Sequence, residues 1–214
     1  MKPLSFKQTE ILLKKYKIPF AKAKVCQNQK EAASFGQEVG YPLVLKIVSP
    51  DILHKTDIGG VKSGIKNERD LKRGFNEIIS SARSVKTNIL IEGVLVQKMV
   101  LGKEVLIGMK RDKIFGPVLI FGLGGIFAEV LKDISLGLPP LDRREARQMI
   151  KEIKGFPLLK GVRGQEGVNI AKIEEIIVNL GKLALEEKSI REIDLNPVMV
   201  DKREAVVVDA RFLI

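Results

Sequence analysis

The 214-residue sequence predicts an α+β protein with mostly antiparallel sheet, arranged as two lobes, residues 1–95 and residues 96–214. Apolar residues make up 45% of the chain, which is enough for a packed core and excludes a disordered chain. Segments with helical spacing alternate with short β-prone runs, and several runs follow one another directly, as antiparallel strands do. No Gly/Ser-rich linker separates the lobes, so we expect a strand from Val94 to Val100 to join them.

The first lobe is predicted to contain three helices and four strands. Apolar residues within 5–17 recur at helical spacing, and Pro19 ends this helix because proline has no N–H to donate. Asn28 is typical of a helix N-cap, and Gly40 is typical of a helix end. The other predicted elements are strands over 21–25, 43–48, 61–66 and 89–100 and a helix that begins at Asn67.

The second lobe shows the same mixture of elements. A helix near the C-terminus is indicated by apolar residues at helical spacing, namely Ile173, Ile177, Leu180 and Ala184. Four strands are predicted, over residues 104–110, 117–121, 190–200 and 205–209. The last two are separated by a short polar segment, which predicts a hairpin at the C-terminal end of the lobe.

The chain is strongly basic. Lysine and arginine number 37 and aspartate and glutamate 26, so the formal net charge is +11, which calls for an anionic ligand or an acidic partner. Nucleic acid is a poor partner because basic residues are interleaved with acidic ones, tryptophan is absent and aromatic residues make up only 5%. One histidine and one cysteine exclude an ordinary Cys/His zinc site.

The sequence predicts a cytoplasmic protein that does not bind membranes. No stretch approaches the ~20 apolar residues of a membrane span, and the first sixteen residues have no signal-peptide pattern. Cys26 is the only cysteine, so the chain cannot form an internal disulfide framework, in agreement with a reducing compartment.

Lys46 is the only charged residue in the apolar strand over 43–48. A buried ammonium without a partner is costly, so its charge must reach either water or an anion. One interpretation is a lysine at a strand edge whose charged end extends to solvent. The other is a lysine aimed at phosphate oxygens, which the polar, glycine-bearing loop over 51–61 favours because such a loop can offer backbone N–H groups to phosphate.

His54, the only histidine, lies in this loop. It could be an ordinary surface or capping residue. Its neighbours Lys46, Lys55 and Thr56 instead favour an anion near the imidazole, and a neutral imidazole nitrogen can attack phosphorus to form a phosphohistidine.

The C-terminal hairpin places oxygen ligands opposite each other. A two-residue turn at Lys202-Arg203 pairs position i with position 405 − i, so Asn196 lies opposite Asp209. An amide oxygen and a carboxylate in this arrangement suit Mg²⁺, although a solvated polar face remains the alternative. Pro197 is typical of a bulge that would shift the register by one. The apolar face is then predicted to consist of Ile193, Leu195, Val206 and Val208.

The strand that links the lobes could bind a purine through its backbone, with Met99 packed on the ring and Glu104 near a ribose hydroxyl. The glycine turn over 121–126 lacks a complete dinucleotide-binding pattern, and its small residues suit close approach of the backbone to a ligand or partner.

Four segments in this order resemble a known family. They are Lys46 in its apolar strand, Asp51-Ile52-Leu53-His54-Lys55-Thr56-Asp57-Ile58-Gly59-Gly60-Val61, the segment from Gly116 to Gly125, and Glu192-Ile193-Asp194-Leu195-Asn196-Pro197. Together they resemble the β subunit of ADP-forming acetate–CoA ligases, acyl-CoA synthetases with the ATP-grasp fold. The resemblance covers nearly the whole chain and implies two lobes with the nucleotide in the cleft between them.

The resemblance also implies roles for individual residues. His54 would be transiently phosphorylated, and Asn196 and Asp209 would hold Mg²⁺, the same pair that the hairpin register indicates. The ATP or ADP site would be formed by Lys46 at the phosphates, by Lys55, Thr56, Gly59 and Gly60 in a phosphate-covering loop, by Gln97 and Met99 at the adenine, and by Glu104 near the ribose or phosphates.

The implied reaction is acyl-CoA + ADP + Pi ⇌ carboxylate + ATP + CoA. In this family a CoA-binding α subunit carries a second phosphohistidine, so the resemblance implies such a partner, in an α2β2 heterotetramer. The alternative is another ATP-grasp carboxylate ligase, such as a succinyl-CoA synthetase-like β subunit. A ligase that makes its acyl phosphate within this chain would not need His54.

Overall fold

The computed structural model describes residues 1–52, 55–85, 88–125, 133–162, 164 and 166–214. These residues form two compact units. The larger unit consists of Met1–Phe20 with Val100–Ile214, and the smaller unit is Ala21–Met99. None of the helices in the described residues is long and apolar enough to cross a membrane.

The structure groups the chain differently from the predicted boundary between residues 95 and 96. Residues 1–20 pack in the larger unit because their backbone pairs with its C-terminal strands. Lys2 and Ile214 exchange two N–H···O bonds of 2.9 and 3.0 Å, and Val207 N–H donates to Pro19 O at 2.9 Å.

The predicted mixture of helices and antiparallel strands is confirmed. In chain order the described elements are α1 (Phe6–Lys15), β1 (Ala23–Cys26), α2 (Gln29–Val39), β2 (Leu43–Val48), β3 (Val61–Ile65), α3 (Glu68–Val85), β4 (Gly93–Lys98), β5 (Lys103–Asp112), β6 (Gly116–Leu123), β7 (Ile134–Gly137), α4 (Arg143–Glu152), α5 (Phe156–Lys160), α6 (Ile170–Glu186), β8 (Glu192–Val200), β9 (Ala205–Val207) and β10 (Ala210–Leu213).

The smaller unit is a four-stranded antiparallel sheet in the order β1-β4-β2-β3, with α2 and α3 packed on one face. Side chains on β2 alternate, so Leu43, Leu45 and Ile47 are buried in the core while the residues between them are half-buried on the opposite face. Asn28 caps α2 by accepting a hydrogen bond from Glu31 N–H at 2.9 Å, as the sequence predicted.

The larger unit contains a sheet in the order β10-β8-β5-β6-β7, with β9 paired to β8. Its core lies between one face of this sheet and helices α4, α5 and α6. On β5 the buried residues Val105, Ile107 and Met109 face this core, and the residues that alternate with them face away.

In the described part of the range from Phe121 to Ile173, three elements were not predicted from the sequence, namely β7, α4 and α5. The helix α4 escapes a search for apolar spacing because it buries only three side chains, Ala146, Met149 and Ile150, and most of the others are charged or polar. Its start has a capping box, in which Asp142 and Glu145 each accept a backbone N–H at 2.8 Å.

The register of the C-terminal hairpin is the predicted one. All paired residues of β8 with β9 and β10 obey the 405 − i rule, from Val200 with Ala205 to Glu192 with Leu213. Asn196 N–H donates to Asp209 O at 3.2 Å, so these two residues lie opposite each other. Pro197 therefore does not shift the register on this side of β8.

The predicted apolar face of the hairpin is wrong beyond Leu195. The core contains Ile193 and Leu195 but then Val198 and Val200, with Ala205 and Val207 on the neighbouring strand instead of Val206 and Val208. The cause is a bulge against β5: Val105 pairs with Val198, but Ile107 pairs with Leu195, so β8 has one extra residue there. The extra residue exchanges the two faces of the hairpin.

Two neighbouring valines test this exchange of faces. Val207 is fully buried in the core, whereas Val208 is half-buried. We expect Val207→Thr to lower the free energy of unfolding by about 1–3 kcal/mol, because the new hydroxyl loses its water, and Val208→Thr to lower it by less than about 0.5 kcal/mol. Urea unfolding of the two variants and the wild type measures the difference. A larger cost at Val208 would contradict the bulged arrangement.

Candidate functional site

Lys46 projects from the face of the smaller sheet that lies opposite the helices. It sits in the middle of β2, paired with Val61 of β3 on one side and with Leu95 of β4 on the other. The side chains at 44, 46 and 48 share this face, since those at 43, 45 and 47 fill the core. The lysine is half-buried.

Gln97 shares this face with Lys46. It pairs with Val44 and Ala23, one diagonal step from Lys46, and only 1% of it is exposed. Its Nε2 is buried and has no hydrogen-bond partner among the described residues. A buried amide donor without a partner costs about 1–3 kcal/mol, and native proteins rarely leave one unpaired. The Gln97 amide is therefore a donor in need of an acceptor.

The loop over 55–60 is a tight turn whose last two N–H groups are already used. Gly59 N–H donates to Thr56 O at 3.0 Å, and Gly60 N–H donates to Lys55 O at 2.8 Å. Gly60 O accepts from Ile47 N–H at 2.8 Å, which ties the turn to β2. Because the N–H groups of Gly59 and Gly60 already donate within the turn, the turn does not favour their direct binding to phosphate.

The two glycines are needed for the shape of the turn. Gly59 has φ +66°, a conformation that favours glycine, and a Cβ on Gly60 would lie 2.7 Å from Ile47 Cγ2 and 2.8 Å from Lys55 O. Lys55 is half-buried and Thr56 is exposed. These two side chains remain the candidate ligand-binding groups of the loop. His54 lies outside the described residues.

Met99 is the last residue of the smaller unit. It is half-buried, and its N–H donates to Pro42 O at 3.1 Å. That N–H is therefore occupied within the unit, and the structure leaves the side chain and the carbonyl of Met99 as its possible contacts to a purine.

In the larger unit, Asn196 and Asp209 lie on the sheet face opposite the core. Both side chains are exposed. Burial raises the pKa of the neighbouring Asp194, and the negative charges of Asp209 and Glu192 raise it further, while Arg211 opposes the shift. These carboxylates therefore repel one another at neutral pH, and a cation between them would relieve that repulsion.

The donors present fit a hard divalent cation. An amide oxygen and a carboxylate, on residues held opposite each other, are ligands that Mg²⁺ accepts, and Mg²⁺ usually completes its shell with phosphate oxygens and water. Among the described residues, no group of three or more His, Cys, Asp or Glu side chains is arranged to hold a metal. A metal here would therefore need oxygens from a bound ligand as well.

Glu104 lies on the same sheet face, and the glycine turn packs against it. Gly124 N–H donates to Glu104 O at 2.8 Å, and a Cβ on Gly124 would lie 2.8 Å from Glu104 Cβ. Gly125 has φ +62°, and a Cβ on this residue would lie 3.4 Å from Glu104 Oε2. The residue in close contact with this turn is therefore Glu104. The spacing of the glycines in the sequence did not indicate this contact.

The structure thus brings together predicted residues within each unit. In the smaller unit Lys46 and Gln97 share a face, and the turn over 55–60 leads into the strand beside Lys46. In the larger unit Glu104, Asn196 and Asp209 share a face, together with Asp194. The signal missed from the sequence is the unpaired amide of Gln97.

Comparison with known proteins gives consistent matches over the whole chain. The model of the ATP-grasp domain family matches residues 2–214. The β subunit of acetate–CoA ligase (ADP-forming) I from Pyrococcus furiosus is 46% identical over 214 residues, which are 100% of this chain and 92% of the relative.

Solved structures agree with these matches. The acetyl-coenzyme A synthetase 1 of Ca. Korarchaeum cryptofilum, in complex with coenzyme A, Ca-AMPCP and HgCl⁺, has a TM-score of 0.95 at 40% identity, covering 100% of this chain and 93% of that one. The same enzyme with coenzyme A and Mg-AMPPCP, its phosphohistidine segment pointing towards the nucleotide binding site, has a TM-score of 0.88 at 37% identity with the same coverage.

These matches confirm the resemblance that the sequence motifs indicated: the chain belongs to the ATP-grasp family and, within it, to the β subunits of ADP-forming acetate–CoA ligases.

Proposed function

We propose that this chain is the nucleotide-binding β subunit of an ADP-forming acyl-CoA synthetase, which catalyses acyl-CoA + ADP + Pi ⇌ carboxylate + ATP + CoA. The observation that carries the proposal is the full-length similarity to a β subunit of that enzyme, at 46% identity. Two features of the structure support it: Asn196 and Asp209 lie opposite each other in the hairpin, and the buried amide of Gln97 has no hydrogen-bond partner among the described residues.

The contacts to the nucleotide are assigned residue by residue. Lys46 binds phosphate oxygens with its ammonium group, and the Gln97 amide donates the hydrogen bond that it lacks in the free chain. Met99 packs on the adenine ring, and Glu104 accepts from a ribose hydroxyl or lies near the phosphates. Lys55, Thr56, Gly59 and Gly60 form the loop over the phosphates, where the glycines supply its shape and the two side chains its contacts.

Asn196 and Asp209 would hold Mg²⁺ together with the nucleotide phosphates. The Korarchaeum enzyme binds Mg-AMPPCP, which supports this assignment. When bound, the ion neutralises charge on the transferred phosphoryl group. The hairpin contributes two ligands at a fixed separation.

His54 would carry the phosphoryl group between a partner and the nucleotide. In the direction of ATP synthesis, an oxygen of the ADP β-phosphate attacks the phosphorus on His54. The new P–O bond forms as the P–N bond breaks, and the electron pair of the P–N bond returns to the imidazole nitrogen. Lys46 stabilises the negative charge of the phosphoryl oxygens during this transfer.

The partner would be a CoA-binding α subunit that carries a second phosphohistidine, in a cytoplasmic α2β2 heterotetramer. The Pyrococcus relative is named as one subunit of its enzyme, which supports the need for a partner. This chain has a single histidine, so a relay through two histidines needs a second chain.

Reconstitution tests the proposed reaction. With acetyl-CoA, ADP, Pi and Mg²⁺, we expect ATP to form only when this chain and a CoA-binding subunit are both present, as measured with luciferase. ATP-dependent joining of a carboxylate to an amine by this chain alone would instead establish the alternative ligase.

His54→Gln tests the phosphohistidine. We expect the variant chain to incorporate no acid-labile ³²P from [γ-³²P]ATP, and the reconstituted rate of ATP synthesis to fall at least ~10³-fold, because the nucleophile is lost. Asp57→Asn is the matched control, since it changes an exposed residue of the same loop and should leave labelling intact. Label that persists on the His54→Gln chain would overturn the assignment.

Asp209→Asn tests the metal pair. The Mg²⁺ concentration for half-maximal binding of a fluorescent ADP analogue should rise at least ~10-fold, because one charged ligand is lost. The pKa of Asp194 should also fall toward its ordinary value, since the Asp209 charge helps to raise it; ¹³C NMR of the carboxyl groups measures this. Glu204→Gln, an exposed carboxylate of the same hairpin, is the control. Unchanged Mg²⁺ dependence in Asp209→Asn would exclude this residue as a ligand.

A further inference from the structure

The outermost described strand of the larger sheet exposes apolar side chains. On β7, Ile134 and Leu136 are 45% and 59% exposed, and Leu138, just beyond it, is 51% exposed. Edge strands of soluble proteins usually carry charged residues or proline on their exposed positions, which prevents association. In the part of the chain that the structure describes, no further strand pairs with β7.

A second exposed apolar feature is the tip of the β5–β6 hairpin. Ile114 is 86% exposed and Phe115 is 66% exposed. The Asp112 carboxylate accepts from the N–H groups of Ile114 at 2.7 Å and Phe115 at 3.0 Å, and these bonds hold the pKa of Asp112 below its usual range. The tip is therefore ordered before any partner arrives, which reduces the entropy lost on binding.

The tip lies beyond the end of the β6–β7 pair at which β7 finishes, whereas Ile134 lies at the opposite end, paired with Gly122. Leu119 pairs with Gly137, so the end of β7 lies beside the start of β6, which follows the tip directly. We name these five residues the edge strip: Ile114, Phe115, Ile134, Leu136 and Leu138. Each member of the edge strip is at least 45% exposed, and exposed apolar patches are often functional.

The edge strip is connected by the sheet to the proposed metal pair. One cross-strand row runs through Leu136, Ile120, Gly108, Asp194 and Arg211. Leu136 is thus three strands, ~14 Å, from Asp194 and shares its face. Gly108, between them in this row, carries no side chain.

We propose that the edge strip is the docking surface for the CoA-binding subunit, a proposal that rests on the proposed function. That function requires a phosphoryl group to arrive from a partner at the face that carries Asn196 and Asp209, and a partner on the edge strip lies within one loop length of it. Lys110 and Lys113 border the strip, so the partner presents an apolar patch with an acidic rim.

Two variants test the proposal in the reconstituted complex. We expect Leu136→Glu and Phe115→Glu each to raise the Kd for the CoA-binding subunit about 10–100-fold, measured by analytical ultracentrifugation, because each places a charge in the apolar centre of the interface. Ile11→Glu is the matched control: it makes the same change at a residue of the larger unit that is 58% exposed and lies on α1, outside the strip. Its Kd should stay within about twofold of the wild type.

Binding of Mg-ADP to each isolated chain separates the two hypotheses. Both strip variants should bind Mg-ADP as the wild type does and retain its melting temperature. A wild-type Kd for the partner in both variants would overturn the docking proposal, as would a homodimer of this chain that the variants disrupt. A wild-type chain that binds no Mg-ADP would overturn the proposed function instead.

Discussion

The site in the larger unit depends on a turn of two residues. The Asp201 carboxylate accepts from Arg203 N–H at 2.7 Å and Glu204 N–H at 2.8 Å, and these bonds lower the pKa of Asp201. The turn length determines which residues pair along the whole hairpin. Asn196 therefore faces Asp209, and a turn longer by one residue would separate the two oxygens that we assign to Mg²⁺.

The two faces of the sheet in the larger unit carry different kinds of residues. One packs on the helices and supplies the core. The other carries Glu104, Asp194 and the proposed metal pair at one side and the edge strip at the other. The bulge on β8 makes this arrangement possible, because one extra residue lets Asn196 stay exposed while Val198 returns to the core. The net charge of +11 fits this division, since Lys46 is assigned to phosphate and Lys110 and Lys113 to an acidic partner.

Local rules predicted much of the fold and part of the site. The register of Asn196 with Asp209 follows from turn length alone, and the alternation around Lys46 follows from strand geometry. The exchange of faces at Pro197 depends on β5, a strand some 90 positions earlier, and no local pattern contains it. The hydrogen bonds that occupy the Gly59 and Gly60 N–H groups likewise depend on how the turn closes. The family resemblance, by contrast, rested on motifs and was confirmed over the full length.

The central claim is that this chain binds ADP with a metal ion, with Asn196 and Asp209 as metal ligands and the Gln97 amide as a donor to the nucleotide. Titration of Mn²⁺ and ADP into the ¹⁵N-labelled chain tests it directly, because Mn²⁺ broadens NMR signals near its site. We expect the strongest broadening at the backbone amides of Asn196 and Asp209, and a shift of the Gln97 side-chain amide signal as its Nε2 gains an acceptor. Broadening centred away from the hairpin, with the Gln97 signal unmoved at saturating ADP, would contradict the assignment of both residues to the site.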